Sequence, residues 1–304
     1  TLSSSSAASD VYKRQLPHEH LFFDLRGAAR PRDFRVDREE VVKTVLPSLL
    51  ALRKRGVSTL FECSTGGIGR DPLILEALGR GSGVNIVAPG GLYKETFMPS
   101  WVRSRTADEL AEWMREEIQM GIENTSVKAG FIKLAATNEG LTALEEKVLR
   151  AAARAAKDTG SAIAQHTSGP RSGSILLREM EVLREEHFDV SKFVWVHAHS
   201  ESDISVHMKA AEAGVNLEYD AIGGDQPDEF FIGLIKRMVL QRHEGRILLS
   251  QDAGGYNAAE PRGGKPRDLC YIIDQFLPRM EREGMKDLIP LMMIENPRRT
   301  FELY

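Results

Sequence analysis

Chemistry-bearing residues recur in this chain at the ends of short apolar runs. His18 and His20 stand in Pro17-His-Glu-His20, His166 in Gln165-His-Thr167, and His197 and His199 in Val196-His-Ala-His199. An H-x-H pair on a strand points both imidazoles to one face, where they can grip a single ion. Taken alone, a satisfied structural pair explains it equally well. Lys133 sits inside the apolar run Ala129-Gly-Phe-Ile-Lys133-Leu-Ala-Ala-Thr137. A charge there must neutralise, pair, or be converted into a group that binds metal, unless it snorkels to solvent at a strand end, the commoner fate of such a lysine by itself. Asp252 closes Arg246-Ile-Leu-Leu-Ser-Gln-Asp252, where a carboxylate often serves only as a cap or Asx turn. The unusual feature is the joint pattern of these residues across successive runs.

The elements that must position them follow from patterning. Eight strand-like runs, Leu16–Asp24, Val57–Ser64, Asn85–Tyr93, Ala129–Thr137, Ser161–Ser168, Lys192–Ser200, Gly214–Ile222 and Arg246–Ala253, alternate with amphipathic helical stretches. The clearest predicted helix is Ala143–Thr159, with Leu144, Val148, Ala151 and Ala155 at helical spacing, a Thr142/Glu145 capping box and Gly160 as C-terminal stop. Asp71-Pro72 reads as a second helix start. This is the pattern of an α/β protein, a single (β/α)8 TIM barrel over residues 16–304, whose active-site face gathers the C-terminal ends of the strands. A doubly wound sheet is the runner-up, weakened by the lack of a G-x-G-x-x-G or P-loop turn. His187, His207 and His243 fall in helical or loop-like stretches and are expected on the solvent side.

The 304 residues and 42% hydrophobic content support a large core, and a formal net charge of -4 gives no electrostatic case for nucleic acid or an anionic membrane. Cys63 and Cys270 have no CxxC spacing, and no run approaches the roughly 20 apolar residues of a membrane span. A reducing, cytoplasmic setting is the expectation. Thr1–Gln15 is rich in Ser and Ala, lacks the apolar core of a signal peptide, and resembles translated sequencing-adaptor read-through. It is expected to be a non-native or disordered tail that replaces the natural start.

The joint pattern resembles the phosphotriesterase family of the amidohydrolase superfamily from Leu16 to the C-terminus. The matching segments are Pro17-His-Glu-His20, Gly121-Ile-Glu-Asn-Thr-Ser-Val-Lys-Ala-Gly-Phe-Ile-Lys133, Ala151-Ala-Ala-Arg154 with Gln165-His-Thr167, Ile247-Leu-Leu-Ser-Gln-Asp252 and Asn296-Pro-Arg-Arg299. The resemblance implies two divalent ions, zinc by expectation, with cobalt, manganese or iron also compatible with such ligands. His18, His20 and Asp252 would hold one ion and His166 and a strand-six histidine the other, with N6-carboxylated Lys133 bridging. Its position relative to Gly214 favours His197 as that ligand, which leaves His199 over the metals to shuttle protons or contact substrate. The ions would activate a bridging water and polarise the attacked carbonyl or phosphoryl oxygen, with Asp252 as general base. Tyr93 coincides with a tyrosine that lactonase members place beside the metals. Members often form homodimers.

Two departures bear on substrate. Ala221, in Leu217-Glu-Tyr-Asp220-Ala221, stands where phosphotriesterases carry a relay histidine and acyl-homoserine lactonases an arginine, and Ile222-Gly-Gly-Asp-Gln-Pro227 lacks the lactonases' arginine-tyrosine signature. The leading expectation is hydrolysis of a small-molecule lactone or of a carboxylic or phosphate ester. A true phosphotriesterase (aryldialkylphosphatase) is the alternative, against which Ala221 counts. A catalytically silent ligand-binding barrel would be expected to have lost a ligand, and all the ligand types are present. Arg262, Lys265 and Arg267, after strand eight, could neutralise a phosphate or carboxylate on the substrate, although such clusters are more often solvated loops.

Overall fold

The structure, a computed structural model, describes residues 13–27 and 36–303. Most of the expected tail, residues 1–12, lies outside the described residues; Arg14 and Gln15, its last two, open the first strand and pair with Val57 and Thr59.

Parallel strands follow in chain order around one sheet: β1 (Arg14–Phe23), β2 (Val57–Glu62), β3 (Asn85–Gly90), β4 (Ala129–Ala135), β5 (Ile163–His166), β6 (Phe193–Val196), β7 (Asn216–Tyr219) and β8 (Ile247–Leu249). β1 begins two residues before its expected run, the other seven strands lie within theirs, and all eight end sooner than the run. After β8 the chain breaks register and resumes as β9 (Gly254–Asn257), which pairs with the upper half of β1 through His20 and Gly254. Asp252 N–H donates to His18 O at 3.1 Å and His20 N–H to Ala253 O at 3.0 Å, so the interrupted eighth strand closes the (β/α)8 barrel.

The helices that cover the barrel include α1 (Arg38–Lys54), α2 (Pro72–Ser82), α3 (Trp101–Ser104), α4 (Ala107–Gln119), α5 (Ala143–Thr159), α6 (Ser172–Glu185), α7 (Ile204–Glu212) and α8 (Asp228–Leu240). Among the described residues, none is long and apolar enough to cross a membrane. Capping follows the sequence: Thr142 and Glu145 form the box that starts α5, Gly160 takes a left-handed φ of 72° at its end, and Asp71 accepts from Leu73 N–H and Ile74 N–H at the start of α2.

Inside the barrel, side-chain alternation divides the core by height. Phe61 on β2 and Phe131 on β4 meet Phe301, from the last helical turn, with ring centroids 4.3–5.7 Å apart, forming an aromatic floor. Two residues above Phe131 on the same face is Lys133. Gly91, at φ 88°, lets the chain after β3 pass close to it, since a Cβ there would lie 2.5 Å from the Lys133 carbonyl oxygen.

Buried carboxylates tie the loops of the upper face to the barrel. Glu179 on α6 accepts from Thr167 Oγ–H at 2.8 Å and Gln165 Nε2 at 3.0 Å, bracketing His166 at the end of β5. Burial pushes its carboxyl up to about 8, outweighing those bonds. The folded protein therefore holds this proton more tightly than the unfolded chain, and its contribution is lost as pH rises from near 4.5 toward about 8. Denaturant unfolding at several pH values should show Glu179→Gln gaining on the wild type across that window by on the order of 1 kcal/mol per pH unit. A constant difference would contradict this reading of Glu179.

Candidate metal centre

The upper end of β1 carries His18 and His20 into the barrel interior. His18 Nδ1 lies 3.0 Å from Asp220 Oδ2 and 3.1 Å from Glu218 Oε2, so its N–H is directed at two buried carboxylates. Its Nε2 faces Asp252 Oδ1 at 3.4 Å. His20 is arranged alike, with Nδ1 2.8 Å from Ser64 Oγ and Nε2 3.1 Å from the same Asp252 oxygen. One donor atom each from His18, His20 and Asp252 falls within a 4.8 Å cluster.

The second group stands across the barrel mouth. His166 Nδ1 and His197 Nε2 are 2.7 Å apart, and His197 Nδ1 lies 2.8 Å from Asp220 Oδ1 while its backbone N–H donates to Asp220 Oδ2 at 2.9 Å. His166 Nε2 meets Ser168 Oγ at 3.1 Å. Lys133 is 1% exposed, and its amine makes one long hydrogen bond, to Leu134 O at 3.4 Å. With His18, His20, His166, His197 and Asp252 it lines one cavity of about 520 Å³.

The electrostatics divide the imidazoles: burial alone would lower the His18 pKa, but neighbouring anionic groups, Asp252 and Asp220 among them, raise it well above its ordinary value, whereas His20 and His166 are kept neutral. Burial lowers the His20 pKa, more than Asp252 raises it, and holds His166 well below its ordinary value, helped by the nearby His197. Burial alone would raise the Asp252 and Asp220 carboxyls. The imidazoles beside them reverse that, so both sit below the usual carboxylate range. Imidazoles whose outer nitrogen is fixed by Ser or Asp, with the inner one turned to a shared cavity, form the donor set that divalent cations take. Lys133 fits the same reading, because its amine is buried among them with little hydrogen bonding.

The two strand-six histidines diverge. Alternation would send His197 and His199 the same way, but β6 ends at Val196, His197 adopts φ 62°, and Ala198–Ser200 turn as a 3-10 helix. His197 reaches His166. His199 is carried to the far side of Asp220, 3.4 Å from Oδ1, and lines a neighbouring cavity of about 600 Å³ together with Ala221, Asp252 and Arg267. Tyr93 lines the first cavity, its ring 5.5 Å from His166, and burial followed by the charge of Asp252 pushes its hydroxyl up to about 12.

One histidine departs from expectation. His207 is buried on α7, not on the solvent side, because its ring bridges Tyr219 Oη and Glu201 O, both at 3.0 Å. The sequence reading also passed over Asp220, Glu218 and Ser64. The signal was present in Leu217-Glu-Tyr-Asp220, where two carboxylates two residues apart share one face at the end of β7. Glu19, between the two β1 histidines, points outward and accepts from Ser250 Oγ–H and from Gln251 and Ala253 N–H, fixing the bend that presents Asp252 at φ 50°.

The phosphotriesterase family model matches residues 6–301. The chain belongs to the phosphotriesterase family. A phosphotriesterase homology protein of Escherichia coli is 32% identical over 291 residues, covering 94% of this chain and 97% of that protein. An aryldialkylphosphatase of Saccharolobus solfataricus is 28% identical, covering 94% of each. The solved structure of a Deinococcus radiodurans PTE-like lactonase mutant superposes with a TM-score of 0.86 at 26% identity, covering 96% of this chain and 97% of that one.

Asp220 orients His18 and His197 together, so Asp220→Asn is expected to weaken the binding of an added divalent cation roughly 10–100-fold. Competition with a chromophoric chelator measures this, and unchanged affinity would show that the shared carboxylate does not set the site.

Proposed function

We propose that this member of the family is a binuclear metal-dependent hydrolase, cytoplasmic, acting on lactones and more broadly on carboxylic and phosphate esters. The observation that carries the reading is the convergence of four imidazoles, the Asp252 carboxylate and the buried Lys133 amine on one cavity. His18, His20 and Asp252 would hold one ion and His166 and His197 the other, with Lys133 carboxylated by CO2 and shared between them. Zinc is the expected metal. Two divalent ions so held supply Lewis acidity toward the substrate oxygen and make hydroxide accessible near neutral pH.

The chain's own groups handle protons and position. Asp252, kept ionised by His18 and His20, accepts the proton of the attacking water and delivers it to the leaving oxygen. Tyr93 keeps its proton, since burial raises its pKa, and donates a hydrogen bond toward the reacting carbonyl. His199, across Asp252 in the neighbouring cavity, passes to solvent the second proton, the one that the product acid releases on ionising. A phosphotriesterase reading draws on the name of the Saccharolobus relative; Ala221 still counts against it.

The test is initial rates of metal-loaded protein on lactones, sugar lactones, aryl esters and an aryl phosphotriester. Lactone turnover should dominate and fall roughly 100-fold or more in Asp252→Asn; dominant phosphotriester turnover would overturn the preference. Lys133→Ala should lose metal and activity together and regain part of both with added short-chain carboxylic acid. Full activity in that variant would end the carboxylated-lysine reading.

A further inference from the structure

The three cations after β9 do not share one fate. Arg262 stands away from the cavity that holds the metal-ligand residues, whereas Lys265 and Arg267 line it, and Arg267 also lines the second cavity beside His199. Arg267 is held at the wall between them: its backbone N–H donates to Gly254 O at 2.9 Å and its Nη1 to Asp252 O at 3.1 Å. The guanidinium crosses to the loop after β7, where Gly224 leaves room for it, since a Cβ there would stand 3.3 Å from Nη2. Among the described residues neither Lys265 nor Arg267 meets a carboxylate in an ion pair, in contrast to Arg70, Arg115, Arg150, Arg154, Arg178 and Arg279. Glu260 lines the first cavity as well and offsets part of this charge without pairing with either cation. A tethered guanidinium with free donors suits a planar oxyanion.

We infer that Arg267, assisted by Lys265, is an anion subsite, and that the preferred substrate carries a carboxylate or a similar oxyanionic group beside the bond that is cleaved. This deepens the hydrolase reading and rests on it. Arg267 takes the anion on its free edge, while its bond to the Asp252 carbonyl couples the subsite to the residue that moves the proton. Orientation of the substrate and proton transfer are thereby set from one wall.

The test compares a γ-lactone bearing a ring carboxylate (5-oxotetrahydrofuran-2-carboxylate) with its neutral carboxamide, using metal-loaded protein. The ratio of kcat/KM is read within each variant, so a general loss of activity cancels. Wild type should favour the carboxylate by roughly ten-fold or more, chiefly through KM. Arg267→Met with Lys265→Met should erase most of that preference, and Arg267→Lys should keep part of it. A preference unchanged in the double variant, or a wild-type preference for the carboxamide, overturns the subsite while leaving the hydrolase reading intact. Isothermal titration with cyclopentanecarboxylate and cyclopentanecarboxamide decides the subsite even where neither lactone turns over, an outcome that would count against lactonase activity alone. Tighter carboxylate binding that disappears in the double variant supports the subsite, and equal binding of the two overturns it.

Discussion

A single fully buried carboxylate, that of Asp220, joins β1, β6 and β7 at the level where the imidazoles converge. It accepts from His18 Nδ1, His197 Nδ1 and the His197 backbone N–H within 3.0 Å. Each such charge-assisted bond contributes about 1.5–3 kcal/mol, and removing the acceptor would strand buried donors at comparable cost. The same carboxylate fixes which imidazole nitrogen is free. By holding the Nδ1 edge of both rings, it turns each Nε2 toward a shared centre and makes two distant strand ends act as one ligand set. Lys133 and His166 are placed by the ladder between β4 and β5, where Lys133 stands opposite Ala164 and Ala135 opposite His166.

Two strained backbone positions lie at the same place. His197 and Asp252, one from each ligand group, both take left-handed φ values that a β-substituted residue adopts at a cost. The surroundings hold them there: Asp220 receives the His197 N–H, and Glu19 receives the N–H groups of Gln251 and Ala253 on either side of Asp252. The interruption between β8 and β9 is the structural form of that constraint. A continuous eighth strand would alternate past the centre, whereas the bend brings Asp252 to both β1 histidines.

Periodicity made the barrel legible because alternation and capping are local. The Thr142/Glu145 box and the Asp71 cap stand where the sequence places them, and the interior positions of His18, His20, Lys133 and His166 follow from a two-residue repeat. What escaped was non-local or non-repeating. The separation of His197 from His199 depends on a left-handed residue at the strand end, which no residue type at that position announces. The burial of His207 depends on Tyr219 from another element, and the role of Asp220 on two partners far away in sequence. The basic stretch after β9 read as one cluster in sequence, yet the fold brings two of its three cations to the cavity.

The proposed centre is a pair of cations sharing one lysine. Diffraction from crystals of the metal-loaded protein, recorded on both sides of the metal absorption edge, tests it most directly. Two anomalous peaks are predicted, one among His18, His20 and Asp252 and the other beside His166 and His197, with density extending from Lys133 Nζ to both. A single peak, or peaks with an unmodified Lys133 turned away from them, would contradict it.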